Sequence, residues 1–367
     1  MIFQHEAVYR VWSGQGYKAC ITCNEETPSV RGRSKTQYVG HRRWLPMNHA
    51  FRKNLKFNGH VEKRRPPVQL TTTDILLQLQ QVADKTPGKH SQFGGKKRKR
   101  SASELNWSKR SIFFELPYWA DQQLKHNLDV MHIEKNVCEA LLGTVLGIEG
   151  KSKDTDTARL DLMDLQVRSE LHLYKEGERW MKPHAQYTLT TEERLRFAAY
   201  LKGVRFPDGF AGNLRKNLND ADGKISGLKS HDCHIIMQRL LSNGIRKYVP
   251  KEVGDTLGEL CTFFQLICSR TLRVDDLVAA QRNVVLILCK LELIFPPAFF
   301  DIMVHLIMHL PDEAIQGGPV QSRWMYPIER YLGMLKKYVR NRARPEGSIA
   351  EGYIVNEALT FCSMYFR

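Results

Sequence analysis

The chain has 367 residues, with 55 Lys+Arg against 39 Asp+Glu, giving a formal net charge of +16 and a pI of about 9.5. A hydrophobic content of 42% and a charged content of 26% exclude global disorder, and the length is that of two or three domains. The charge excess points to a polyanionic partner, with nucleic acid first and an anionic membrane surface second.

The excess sits at the two ends. Residues 1–120 carry 22 basic and 8 acidic residues (+14), residues 121–322 carry 25 and 27 (−2), and residues 323–367 carry 8 and 4 (+4). The opening residues, Met1 to Glu6, lack the basic and apolar regions of a secretory signal. The longest apolar stretch, 284–310, is interrupted by Lys290, Glu292, Pro296, Pro297 and Asp301, so it reads as buried helices rather than a membrane span. Without a signal, the 8 cysteines read as reduced thiols or metal ligands.

In chain order, residues 1–83 form a basic region of loops and short elements that contains a cysteine pair. Its one helical pattern is 74–82, capped by Thr73 or Asp74. Residues 84–105 read as an exposed linker, with Pro87, Gly88, Gly94, Gly95 and the run Lys96-Lys97-Arg98-Lys99-Arg100. Within 106–190, the segment 111–116 fits a short buried strand ended by Pro117. Residues 127–133 then lead into a helix over 134–146, with apolar positions at Ile133, Val137, Leu141 and Val145 and Gly147 as its stop. Residues 150–190 are polar and irregular. Residues 191–320 read as helical, over 191–201 (with a capping box from Thr190 and Glu193), 230–241, 253–271, 274–294 and 297–310. Residues 321–367 begin with a basic amphipathic helix over 327–340, and no internal repeat is present.

Four constellations could carry chemistry. Cys20-Ile21-Thr22-Cys23 is half of a zinc site, since two thiolates two residues apart can hold one ion from a tight turn. His41 and His49 are the expected companions, although 17 residues separate Cys23 from His41 and seven separate the histidines, unlike a Cys2His2 finger. A redox pair or two incidental cysteines are the alternatives. Asp129, with His132 one turn on, is either a metal-binding carboxylate or a helix N-cap. Ser230-His231-Asp232-Cys233-His234, and Asp301, His305 and His309 on one helix face, have metal-like spacing; they read as a natural helix cap and a buried polar stripe. Glu329 is the only acid among seven basic residues between 323 and 344. It is either a partner of the helix dipole or a metal ligand beside a phosphate backbone.

The strings Gly40-His41-Arg42-Arg43-Trp44-Leu45-Pro46, Ser111 to Trp119, His126 to Val137, Gly227 to His234, Gly317 to Val320, Arg323 to Tyr331 and Val339 to Glu351 together resemble the plant CACTA (En/Spm-type) transposases. The resemblance runs from about Tyr17 to the last residue. It implies a DDE-type enzyme that cleaves and joins DNA strands with Mg²⁺ ions held by carboxylates. The implied fold is mostly α with a partial α/β RNase H-like core (an incomplete sheet) and a large helical insertion over 191–320. On this resemblance Asp129 is the second catalytic acid with His132 as its companion, Glu329 is the third acid, and the family's cysteine-pair motif falls on Cys20 and Cys23.

The first catalytic Asp of the family has no counterpart before Cys20, where Glu6 is the only acid. The expectation is therefore a truncated transposase that is inactive alone, with a domesticated DNA- or protein-binding module as the alternative. Expected partners are DNA at transposon ends and other transposase subunits, with no membrane and no small-molecule substrate. Arg42, Arg43, Lys336, Lys337, Arg340, Arg342 and Arg344 are the expected phosphate contacts. Residues Lys96 to Arg100 are the expected nuclear localisation signal. Mg²⁺ and Zn²⁺ are the expected metals.

Overall fold

The apolar periodicity of the chain is realised as helices in the structure, a computed structural model that describes residues 12–82, 104–108 and 110–366. The chain divides into two compact units, Met1–Gln321 and Ser322–Arg367.

The first unit opens with a two-residue ribbon, β1 (Val30–Arg31) against β2 (Thr36–Gln37), antiparallel with Val30 opposite Gln37. Two short helices follow, α1 (Ala50–Lys53) and α2 (Thr72–Gln80). The cap of α2 is Thr71, whose hydroxyl accepts from Asp74 N while the Asp74 carboxylate accepts from Thr71 N. This is a reciprocal capping box, two or three residues earlier than the sequence suggests. Trp12, Trp107, Trp119 and Leu79 pack into a small core around it, with Trp12 and Trp107 edge-to-face at 4.9 Å between centroids.

The body of the unit is a helical bundle. Its members are α3 (Val130–Val145), α4 (Asp156–Asp164), α5 (Thr191–Gly203), α6 (Ser230–Ile235), α7 (Leu241–Ile245), α8 (Lys251–Ile267), α9 (Val274–Ile294), α10 (Ile302–Leu306) and α11 (Leu310–Gly317). Helix α3 packs on α6, α8 on α9, and α9 on α11. Val137, Leu141 and Val145 of α3, Leu257, Leu260 and Phe264 of α8, and Val284, Leu288 and Leu291 of α9 are all shut off from water. Burial on this scale, at about 25 cal/mol per Å² of apolar surface, is what holds the bundle together. Gly143 allows one close approach: a Cβ there would lie 2.9 Å from the Lys151 carbonyl, so the chain can double back against α3 only if this residue has none.

Residues 150–190, irregular in the sequence reading, contain α4 and a second ribbon, β3 (Tyr174–Glu176) paired antiparallel with β4 (Arg179–Met181). Arg159 of α4 is fully buried. It grips Asp154 through two parallel hydrogen bonds and donates to the Leu171 carbonyl at 2.7 Å. Tyr187 lies beside this pair, and burial, then the Asp154 charge, push its phenol up.

The chain is mostly helical, as expected. Among the described residues, strands are confined to the two ribbons, each two-stranded and antiparallel. Segment 111–116 is a 3-10 turn (Ile112–Glu115) rather than a strand, because the Ser111 side chain accepts from Phe113 N and closes the turn locally. The helix expected over 230–241 is interrupted by a π-turn at Ile236–Leu240. The helix expected over 297–310 is broken twice. Asp301 caps α10 by accepting from Met303 N and Val304 N, and Pro311 lacks the N–H that would extend the preceding α-turn, so Ile307–His309 tightens to 3-10. No helix among the described residues is long and apolar enough to cross a membrane.

The second unit consists of α12 (Tyr326–Lys336) and α13 (Pro345–Tyr365), which pack on one another. Asn341 N donates to Ser348 Oγ at 3.0 Å across their connection.

Candidate metal centre

Cys20 and Cys23 lie on a tight turn in which Cys23 N–H points at Cys20 Sγ, 3.3 Å away. Asn24 follows in the left-handed region at φ 51° and turns the chain away. From the other end of the unit, α10 presents His305 and the 3-10 turn after it presents His309, four residues on and on the same side. His309 Nε2 stands 3.3 Å from Cys20 Sγ and 3.2 Å from Cys23 Sγ, and His305 Nε2 stands 3.4 Å from Cys23 Sγ. One donor atom from each of the four residues lies within 4.8 Å of the others, and all four side chains are buried. A tetrahedral zinc ion with Zn–S of about 2.3 Å and Zn–N of about 2.0 Å separates its sulfur and nitrogen ligands by about 3.5 Å. The cluster therefore fits such an ion with small side-chain adjustments.

A metal needs thiolate and neutral imidazole; Cys20 and His305 are shifted toward those forms, whereas Cys23 and His309 are shifted toward the protonated forms and give up protons when an ion binds. Burial alone would raise the Cys20 thiol, but the Cys23 hydrogen bond and the charge on His309 hold it well below its ordinary range. Cys23 is correspondingly raised, first by its hydrogen bond to Cys20 and then by burial. Burial pushes His305 down to about 4, so it is neutral near pH 7. Burial pushes His309 down, but the charge and hydrogen bond of Cys20, together with the charges of Asp312 and Glu313, leave it raised.

A second layer orients His305. Glu292, near the end of α9, is buried, and its Oε1 accepts from Gly40 N and His41 N at 2.9 Å each and from His41 Nδ1 at 2.5 Å. The φ of 96° at Gly40 aims two consecutive backbone N–H groups at one oxygen. With Nδ1 donating to the carboxylate, His41 Nε2 is left as an acceptor, and His305 Nδ1 lies 3.2 Å from it. His305 Nδ1–H then donates to His41, which frees the Nε2 lone pair facing the cysteines. Such carboxylate–histidine chains fix the tautomer of a metal ligand and raise its basicity.

The structure thus brings the cysteine pair together with His305 and His309 rather than with His41 and His49. His41 stands one hydrogen bond behind His305. His49 caps α1 by accepting from Phe51 N at 3.1 Å. In the sequence, His305 and His309 read as a polar stripe and Glu292 as no more than an interruption in an apolar run. The available signal was a carboxylate and two histidines at core-facing positions of otherwise apolar helices, where an unpaired polar group is costly. On one side the centre opens into a cleft of about 300 Å³ lined by Cys23, Trp44, Val68, Gln281, Met308 and His309.

Of the expected phosphate contacts, Arg42 is corrected by its burial. Its guanidinium donates to the Asn54 and His60 carbonyls and to Asn58 Oδ1, stacks on the Phe57 ring, and is committed to the fold. Arg43 pairs with Glu26 and donates to the Arg65 carbonyl. The exposed basic residues of this region are instead Arg31, Arg33, Lys53, Lys56, Lys63, Arg64 and Arg65, of which Arg33 pairs with Asp164 and Arg64 with Glu62. Lys336, Lys337, Arg340, Arg342 and Arg344 lie at or near the α12–α13 connection and are exposed.

Asp129 is the N-cap of α3. One carboxylate oxygen accepts from Met131 N at 3.1 Å, and the other is hydrogen-bonded to His132 Nδ1. Glu329 lies in the first turn of α12, in the second compact unit. The run Lys96 to Arg100 lies outside the described residues.

Two family models match parts of the chain. Residues 3–82 match the transposase family tnp2, and residues 267–367 match a domain of unknown function, DUF4218. These matches indicate a transposase-related family. No curated protein and no solved structure matches.

Proposed function

We propose that the chain is a DNA-binding protein of transposase descent whose N-terminal segment is clamped to its helical body by Zn²⁺ on Cys20, Cys23, His305 and His309. One observation carries the reading. The two cysteines lie in the segment that resembles the tnp2 transposases and the two histidines in the segment that resembles DUF4218, so the two matched segments build one site together. A closed set of two thiolates and two imidazoles is the chemistry of a structural zinc ion. The ion organises the basic N-terminal surface and has no open position for catalysis.

DNA contact is assigned to Lys53, Lys56, Lys63 and Arg65 on the first unit, and to Lys336, Lys337, Arg340, Arg342 and Arg344 on the second. Each phosphate neutralised releases counterions, so affinity for duplex DNA is expected to fall steeply with salt. Charge removal at Lys336, Lys337 and Arg340 together is expected to weaken binding on every sequence. It should also lower the salt slope by about one for each phosphate that is no longer neutralised. A salt titration of DNA binding that is unchanged in this triple variant overturns the assignment. Nuclear localisation through Lys96 to Arg100 belongs to the same reading.

The second reading is strand cleavage and joining of the CACTA DDE type, with Asp129 and Glu329 holding Mg²⁺ and His132 beside Asp129. The paired and partly accessible Asp129 and His132 favour it. Against it, the Asp129 carboxylate already serves as a helix cap and as the partner of His132. The expected result is no Mg²⁺-dependent nicking of transposon-end DNA by the purified chain. Nicking that disappears in Asp129→Ala would establish the catalytic reading instead.

A further inference from the structure

A second cluster lies away from the Cys20–His309 centre, where α3, α6 and the end of α8 meet. Glu134 of α3 is 2% exposed. Its Oε2 is 2.7 Å from His234 Nδ1, on α6, and its Oε1 accepts from Gln238 Nε2 at 2.9 Å. Cys268, the residue that caps the C-terminus of α8, completes the group, and one donor atom each from Glu134, His234 and Cys268 lies within 4.8 Å of the others. The Glu134 carboxylate is buried and meets His234 and Gln238 inside the fold.

The hydrogen bonding at His234 contains a conflict. Glu134 Oε2 needs a proton on Nδ1. Gln238 Nε2, 3.0 Å from the same nitrogen, is itself a donor and needs a lone pair there. One ring nitrogen cannot meet both demands. Turning the Gln238 amide over does not help, because its oxygen would then face the Glu134 carboxylate. A cation bound to Nδ1 and Oε2 removes the need for the proton and leaves Gln238 to donate to Oε1.

The backbone at this point is unusual as well. The π-turn Ile236–Leu240 begins two residues after His234 and contains Gln238, whose own carbonyl is held by Gln265 Nε2 from α8. Single π-turns within helices recur at functional sites, because the extra residue re-aims side chains that an α-helix would point elsewhere. The Cys268 carbonyl is fixed by Gln321 Nε2 at 2.6 Å.

We infer that Glu134, His234 and Cys268 form a second metal site, for a borderline-soft divalent ion of the Zn²⁺ class. The donor set is one oxygen, one nitrogen and one sulfur. A thiolate and an imidazole select against Mg²⁺ and Ca²⁺, which take oxygen ligands. Three protein ligands leave a tetrahedral ion one position for an exchangeable ligand, unlike the four-ligand centre.

Metal analysis of the purified full chain loaded with Zn²⁺, and titration with Co²⁺ followed by its thiolate charge-transfer absorption, test the site. The wild-type chain is expected to hold one ion more than either Cys268→Ser or Glu134→Gln, two variants that keep side-chain size. Cys268→Ser should also remove the part of the Co²⁺ thiolate absorption that Cys23→Ser leaves in place. A wild-type stoichiometry of two falling to one supports both centres. One falling to zero in these variants supports this site and refutes the Cys20–His309 centre. Equal stoichiometry in the wild type and both variants overturns the inference.

Discussion

Removal of zinc by a chelator, or the substitution Cys23→Ser, is expected to lower the melting temperature of the chain by about 10 °C. An ion bound by the native state alone stabilises it by about 4 kcal/mol when free metal stands a thousandfold above its dissociation constant, and each kcal/mol is worth about 2–4 °C in a domain of this size class. The effect is large because the four ligands are buried and gathered at one point. Without the ion, the sulfurs and imidazoles are left to satisfy one another inside the protein. Thermal melts with and without chelator, repeated after zinc is restored, make the measurement. A melting temperature indifferent to chelator rules out a structural ion at this centre. Glu292→Gln is a graded companion. It keeps the side-chain size but weakens the acceptor that sets the His41 and His305 tautomers, and a loss of zinc affinity of about 10–100-fold is expected.

The second large effect is expected at Asp154. In Asp154→Ala, Arg159 keeps its charge in a site closed to water and loses its bidentate partner. Breaking a buried pair from one side costs about 3–5 kcal/mol. Urea denaturation should show the midpoint moving down with the slope unchanged. The double variant Asp154→Leu/Arg159→Met is expected to recover much of the loss, because an apolar pair of similar volume carries no desolvation penalty. A cost below about 1 kcal/mol for the single variant would place Arg159 in contact with solvent.

Helix α9 was legible in the sequence to the residue, because its buried face is apolar from Leu277 to Leu291, with Glu292 following as the polar exception. The capping box of α5 was legible for the same local reason, with Thr190 and Glu193 three residues apart. What local pattern could not supply was partnership. Cys20 and Cys23 advertise half a metal site, and His305 and His309 have the spacing of the other half, but His305 comes 282 positions after Cys23 and no periodicity links them. His41 was the nearer histidine and so the natural choice. It belongs to the centre, at one remove. Arg42 misled in the opposite direction, since a basic residue in a basic region reads as surface until the carbonyls around its guanidinium are known. The 3-10 turn before α11 and the π-turn after α6 follow from hydrogen bonds and one proline, not from hydrophobic pattern.

The separation of the two half-sites also fixes when the centre can form. Chains emerge from the ribosome N-terminus first, at about 5–20 residues per second, so the cysteine turn waits roughly 15–60 s before His305 follows it out. Throughout that interval the two thiols are exposed and incomplete, open to oxidation or to other metals. Closing the ring is a late event that brings together sequence-distant ends, the slowest kind of contact to make by chance. On the proposed zinc reading, a nascent chain interrupted anywhere before His305 carries only the cysteine half of the centre and cannot close it.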